Sequence, residues 1–280
     1  MEPLPDAPII DVHTHFMPQR VLDKVWAYFD SAGPLTGRPW PITYRTDEGE
    51  RLATLRALGV RAFPSLNYAH RPGMAQWLND WSTDFAARVP EAIHSATFYP
   101  EPGAAEYSQA AVDAGARIFK VHVQVGDYPL DDPRLDDVWP VLERSRTPIV
   151  MHAGNGPAPG RFTGPAAVRD LLERHPRLVL VIAHMGMPDY GDFLDIARAH
   201  PDVHLDTTMA FTDFTEALTP FPTDRLDDLA ELGDRVLFGS DFPNIPYRYE
   251  HAVQVITDLG LGDDWTRAVL HDNAARLLGE

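Results

Sequence analysis

Ile9-Ile10-Asp11-Val12-His13-Thr14-His15 opens the regular pattern of the chain: two branched apolar residues, then an acid and two imidazoles at alternate positions. Side chains of a strand alternate between faces. An extended backbone here therefore puts Asp11, His13 and His15 on one side and Ile10, Val12 and Thr14 on the other. A polar face toward a barrel axis and an apolar face toward packed helices would account for that alternation. Two imidazoles so spaced lie roughly 6–7 Å apart at their α-carbons and can converge on one ion. A bare H-x-H arises easily by chance. D-x-H-x-H at the end of the first apolar strand is a stronger signal.

Seven further short apolar runs follow, at 60–66, 93–99, 117–123, 148–152, 179–184, 203–208 and 236–241. Between and after them lie helix-like amphipathic stretches at 49–58, 75–89, 104–114, 135–144, 165–174, 192–199, 226–232 and 249–259. Eight strand–helix alternations imply parallel strands with crossover helices. The expected fold is an α/β (β/α)8 TIM barrel, one domain over 1–280, since such a barrel takes roughly 250 residues. Gly59, Gly115 and Gly233 stand where left-handed residues would end helices. The irregular stretch 16–47, rich in aromatics, reads equally as a lid over the barrel mouth or as a helix and turn packed on its side.

Composition removes several classes. The formal net charge is −17, a field that repels nucleic acid and anionic lipid, so neither is an expected partner. The absence of cysteine rules out disulfides, thiolate metal sites and cysteine nucleophiles, leaving nitrogen and oxygen to hold any metal. No apolar run approaches the roughly 18 residues of a membrane span. Met1-Glu2-Pro3-Leu4-Pro5-Asp6 lacks a basic and apolar leader, so a cytoplasmic location is expected. Lys24 and Lys120 are the two lysines, against twenty-two arginines.

The parity test extends to other runs. On the fourth, Lys120, His122 and Gln124 share a face opposite Phe119, Val121 and Val123. On the fifth, Val150 and His152 share one; on the sixth, Leu180, Ile182 and His184; on the eighth, Leu237, Gly239 and Asp241. Each run carries an ionisable residue toward its C-terminal end, where barrel enzymes place catalytic groups. The plainer reading of each histidine is a hydrogen-bonded core residue, but five strands repeating the arrangement outweigh it.

Asp11-Val-His-Thr-His-Phe-Met-Pro18, Lys120-Val-His122, Met151-His-Ala-Gly154, Ala183-His-Met-Gly186, Gly239-Ser-Asp-Phe-Pro243 and Asn273-Ala-Ala-Arg-Leu-Leu-Gly279 span nearly the whole chain. In residues and order they resemble the amidohydrolase superfamily. The likeness is to the amidohydrolase-related branch that includes aminocarboxymuconate-semialdehyde decarboxylase, aromatic-acid decarboxylases and some lactonases. The resemblance implies one divalent metal held by His13, His15, His152 and Asp241, with His184 as acid/base beside it. Three imidazoles and a carboxylate suit Zn2+ best, Mn2+ being the next candidate. Several relatives are dimers, which makes a homodimer an expectation by analogy.

Other residues carry open alternatives. Asp11, deeper on its strand, reads as a buried partner that orients an imidazole. Lys120 could be carbamylated and bridge two metals, as in binuclear relatives, or pair with Asp11 or Asp241. His122 contacts substrate or orients a ligand. Tyr68, His70 and Arg71 follow the second run, and Arg161 lies in the loop 154–164. An arginine at the mouth would suit a substrate carboxylate, and a solvated surface arginine is the plainer reading. The remaining histidines, His204 among them, read as structural. The expected reaction is hydrolysis of a small ester, lactone or amide by a metal-activated water, with His184 and Asp241 moving protons. Decarboxylation of an aromatic or unsaturated acid is the alternative. A phosphoesterase or nuclease stands lower, because strand four offers lysine rather than a bridging glutamate and the surface is acidic. A dead binding protein would be expected to have lost a ligand, and none is missing.

Overall fold

The computed structural model describes residues 8–280; the N-terminal hexapeptide and the first residues of the expected 1–280 domain lie outside it. Eight strands run in chain order: β1 (Ile9–Ile10), β2 (Val60–Pro64), β3 (Ala92–Ile93 and Ser95–Thr97, parted at His94), β4 (Ile118–His122), β5 (Ile149–His152), β6 (Leu180–Ile182), β7 (Val203–Asp206) and β8 (Val236–Leu237). Every neighbouring pair is parallel. The last strand returns to the first. Val12 N–H donates to the Phe238 carbonyl (2.9 Å), Asp241 N–H to that of His13 (2.8 Å) and His15 N–H to that of Phe242 (2.6 Å). These bonds close the expected (β/α)8 barrel, and they lie where the site residues emerge.

A helix follows each strand, and the segment Glu48–Ala57 illustrates why. The Asp47 carboxylate accepts from Glu50 N–H, and two acids in the first turn face the positive end of the helix. Gly59 (φ 77°) ends this helix in the left-handed conformation, as its sequence position suggested. Gly233 does not share that role. A β-carbon there would press on the Trp265 ring at 3.0 Å, so close packing, not a left-handed turn, requires glycine.

Two apolar layers position the strands. Phe119, Val121, Ile149, Met151, Leu180, Ile182, Val203 and Leu205 pack outward against helices. Ile10, Val12, Ile118, Val150, Val181 and Leu237 fill the barrel interior, joined by Ala274 and Leu278 of the C-terminal helix. The parities expected of β4, β5 and β8 hold. Those of β1 and β6 do not. Ile10 and Val12 belong to the interior, and Asp11 reaches outward to Tyr249 of the helix Tyr249–Asp258. The backbone bends at Val12, so His13 turns inward out of phase with the strand before it. His184 likewise enters the site through a left-handed turn (φ 55°) after β6 has ended, not by continuing the face of Leu180 and Ile182.

The stretch 16–47 forms a wall of the cavity at the barrel mouth. Helix α1 (Gln19–Ser31) turns Val21, Lys24, Val25 and Tyr28 to the cavity at the barrel mouth, while Leu22 and Trp26 pack with Met17 beneath it. The indole N–H groups of Trp26 and Trp40 donate to the side chain (3.1 Å) and backbone carbonyl (2.7 Å) of Asn244, tying this wall to the loop after β8.

His204, on β7 and partly buried, has its Nδ1 without a hydrogen-bond partner, and burial with Arg235 nearby pushes its pKa down to about 4. It is neutral in the fold and protonates once unfolded. Its contribution to stability is thus complete above about pH 6.5 and is lost as pH falls toward 4. In urea unfolding, His204→Leu is expected to shrink the stability difference between pH 7 and pH 5 by roughly 2 kcal/mol relative to the parent. Identical pH slopes for the two proteins would contradict this account of the buried imidazole.

Candidate metal centre

Three donors from the two strands that close the barrel meet at its mouth. His13, His15 and Asp241 offer ligand atoms that all lie within 4.8 Å of one another, and all three residues are buried. His15 Nε2 is 2.9 Å and His13 Nε2 3.9 Å from Asp241 Oδ1. Their orientation follows from what holds the other ring nitrogen. His13 Nδ1 is 2.9 Å from Asp206 Oδ2, and His15 Nδ1 is 3.0 Å from the Leu66 carbonyl. Both partners only accept, so each neutral ring carries its proton on Nδ1 and turns the Nε2 lone pair inward.

The consequence is a test of fit for a cation. At 2.9 Å, the His15 lone pair and Asp241 Oδ1 are two acceptors face to face. That arrangement requires positive charge, either a proton on Nε2 or a metal held by both. Two imidazole nitrogens, each fixed from behind through Nδ1, and a carboxylate oxygen form a donor set suited to a divalent ion once Lys120 Nζ, 2.9 Å from His13 Nε2, gives up that lone pair. His13, His15 and Asp241 can hold one.

His184 shares the pattern. Its Nδ1 faces the Thr208 carbonyl at 3.1 Å, leaving Nε2 free, and its ring lies 5.3 Å from that of His13. His152 is turned differently. Its Nε2 faces the Gly156 carbonyl at 2.9 Å, its ring stacks on His122 at 4.0 Å, and it stands outside the three-donor cluster. Lys120 is fully buried and donates to His13 Nε2 at 2.9 Å; its partner is this imidazole, neither Asp11 nor Asp241.

Burial dominates the electrostatics. It lowers His13 and His152 well below the usual imidazole range and brings His184 to about 4 and Lys120 to about 8. Burial would raise Asp241 too, but the hydrogen bond to His15 and the fields of the surrounding imidazoles hold it well below the ordinary carboxylate value. Asp11 is raised by burial to about 7. It accepts from Ser240 Oγ (2.6 Å), Tyr249 OH (3.0 Å) and the His13 backbone N–H (3.0 Å). Asp11 therefore fixes backbone beside the three donors; the His13 ring is oriented by Asp206.

Asp206 is the residue that the sequence reading missed. It is fully buried at the end of β7, holding the His13 ring with one oxygen and accepting the His184 and Thr208 backbone N–H groups with the other (2.9 and 3.1 Å). The parity test would have found it, since His204, Asp206 and Thr208 alternate with Val203 and Leu205. The cavity above the site, about 440 Å3, is lined by Tyr68, His70, Lys120 and His122 besides the metal-site residues. Arg71 and Arg161 are exposed and do not line it. Gly239 is needed between β7 and β1, because a β-carbon there would collide with Thr208 Oγ1 and with His13 Cβ.

Asp206→Asn keeps the size of the side chain but offers His13 an amide donor in place of a carboxylate. The His13 ring is then driven to the tautomer with its proton on Nε2. Divalent-metal affinity, measured by competition with a chromogenic chelator, is expected to fall roughly 10–100-fold with the fold intact. Unchanged affinity would show that Asp206 does not set this ring.

A sequence model of the family described as amidohydrolase matches residues 10–279. No curated protein matches the chain by sequence. Among solved structures, a TIM-barrel protein from Bordetella bronchiseptica is similar with a TM-score of 0.77 and 20% identity, over 97% of this chain and 98% of the other. The 5-carboxyvanillate decarboxylase of Sphingomonas paucimobilis gives 0.68 and 19%, over 98% and 99%. A probable 2-pyrone-4,6-dicarboxylic acid hydrolase from Acinetobacter baumannii, with citric acid bound, gives 0.63 and 13%, over 97% and 99%. At these identities the structures speak for the barrel alone. The sequence match runs from the first strand to the C-terminal helix, and the chain belongs to the amidohydrolase family as one of its enzymes.

Proposed function

We propose that this protein is a metal-dependent hydrolase of a small-molecule ester, lactone or amide. The observation that carries the reading is the convergence of His13 Nε2, His15 Nε2 and Asp241 Oδ1 beside the free Nε2 of His184. His13, released from Lys120 Nζ, would hold the ion with His15 and Asp241, Zn2+ before Mn2+, and His152 would be a fourth ligand once released from the Gly156 carbonyl. Such an ion supplies Lewis acidity to a carbonyl and lowers the pKa of a water.

The side chains then divide the proton work. Asp241 is ionised and can accept the proton of an attacking water. His184 Nε2, unprotonated because Nδ1–H is spent on Thr208, receives a proton in turn and delivers it to the leaving group. Lys120 Nζ, buried beside His13, adds positive charge where negative charge develops on the carbonyl oxygen. Having two separate acid/base groups, one after β8 and one after β6, favours hydrolysis, which needs a proton both taken and given.

Decarboxylation of an aromatic acid is the second reading. It is favoured by the apolar share of the cavity lining, which includes Val21, Val25, Phe29, Trp40, Met187 and Met209, and by the likeness to 5-carboxyvanillate decarboxylase. Screening metal-loaded protein against lactones, esters, amides and aromatic acids, with CO2 followed in parallel, separates the two. Hydrolysis is expected to vanish on chelation and return with Zn2+. His184→Asn is expected to lower kcat roughly a hundredfold or more while the metal stays bound. Release of CO2 with no ester, lactone or amide cleaved would overturn the hydrolytic reading in favour of the second.

A further inference from the structure

We infer that Lys24, on the wall helix α1, recognises a second acidic group on the substrate, at the end remote from the metal site. The substrate class is thus a ring-sized molecule with a carboxylate at its outer end. This deepens the proposed function and rests on it for which cavity the substrate enters.

The chain carries 41 acidic residues and a net charge of −17, yet Asp241 is the one carboxylate among the cavity-lining residues. Both lysines of the protein line that cavity, Lys120 at its floor and Lys24 at its mouth. None of the twenty-two arginines does. Arg71 and Arg161 thus fit their plainer reading as surface side chains, and the positive charge at the mouth is a lysine.

Its placement is specific. Val21, Lys24, Val25 and Tyr28 recur at the spacing that forms one face of a helix, and this face lines the cavity. The acids on the other faces of α1 are engaged: Asp23 accepts from Gln19 and Asp30 pairs with Arg45. Among the described residues Lys24 makes neither hydrogen bond nor ion pair. Val25, Phe29 and Trp40 offer an apolar surface to a flat body in a cavity lined both by the buried His13 and His15 and by the exposed, unpaired Lys24. About 440 Å3 accommodates one substituted ring. Against a strongly anionic surface, this local charge lets a doubly acidic molecule enter.

The test reads binding, so its failure leaves the hydrolytic reading standing, and a failed hydrolase screen leaves this inference standing. Benzoate and isophthalate (benzene-1,3-dicarboxylate) are titrated into metal-loaded protein at pH 8, with tryptophan fluorescence as the signal. The parent is expected to bind isophthalate about fivefold more tightly than benzoate, a preference that weakens with added salt. Lys24→Met is expected to abolish the preference without changing benzoate affinity, and Lys24→Arg to restore it. An unchanged preference in Lys24→Met, no preference in the parent, or binding of neither probe would overturn the inference.

Discussion

An imidazole lone pair held against a carboxylate oxygen is the constraint on which the site depends. Because the Leu66 carbonyl takes the Nδ1 proton of His15, Nε2 can meet Asp241 Oδ1 at 2.9 Å only if positive charge joins them. The barrel is built to hold the pair in place. The backbone bonds between His13 and Asp241 and between His15 and Phe242 that close the sheet are the same ones that bring the two donors together. Fold closure and site assembly are one event.

Around that pair, the ends of the strands give up regular geometry to present side chains. Leu66 (φ 36°), His184 (φ 55°), Met209 (φ 60°) and Asp241 (φ 70°) are left-handed without being glycine, and each either lines the cavity or orients a residue that does. Such conformations cost on the order of 1–3 kcal/mol each and persist where the surroundings over-determine them. Asp206 and Asp11 provide that here. Asp206 ties the backbone at His184 and Thr208 to the His13 ring, and Asp11 ties Ser240 to His13 and to the outer helix.

The barrel was legible because eight apolar runs alternate with helical patterns, and a strand–helix period is a property of local sequence. His13, His15 and Asp241 were legible for the same reason, lying at strand ends of matching type. What the sequence could not convey was the direction of each side chain once the backbone left the ladder. Alternation placed Asp11 beside His13, whereas the bend at Val12 sends it outward to Tyr249. The family resemblance grouped His152 with the metal donors, whereas its ring here is turned to Gly156. Arg71 and Arg161 were suggested by charge and by their place in loops after strands, neither of which says how a side chain is turned. Lys24 was noted only as one of two lysines, because a lysine in an irregular stretch looks like solvated surface until the cavity is seen beside it.

The most direct test of the central claim is X-ray absorption on protein stripped of metal and reloaded with one equivalent of Zn2+. The account predicts tight uptake of a single ion with nitrogen and oxygen neighbours only, at about 2.0–2.1 Å, and multiple-scattering features of at least two imidazoles. No saturable uptake, or an ion ringed by water oxygens without imidazole scattering, would mean that His15 and Asp241 are joined by a proton and that no metal centre exists there.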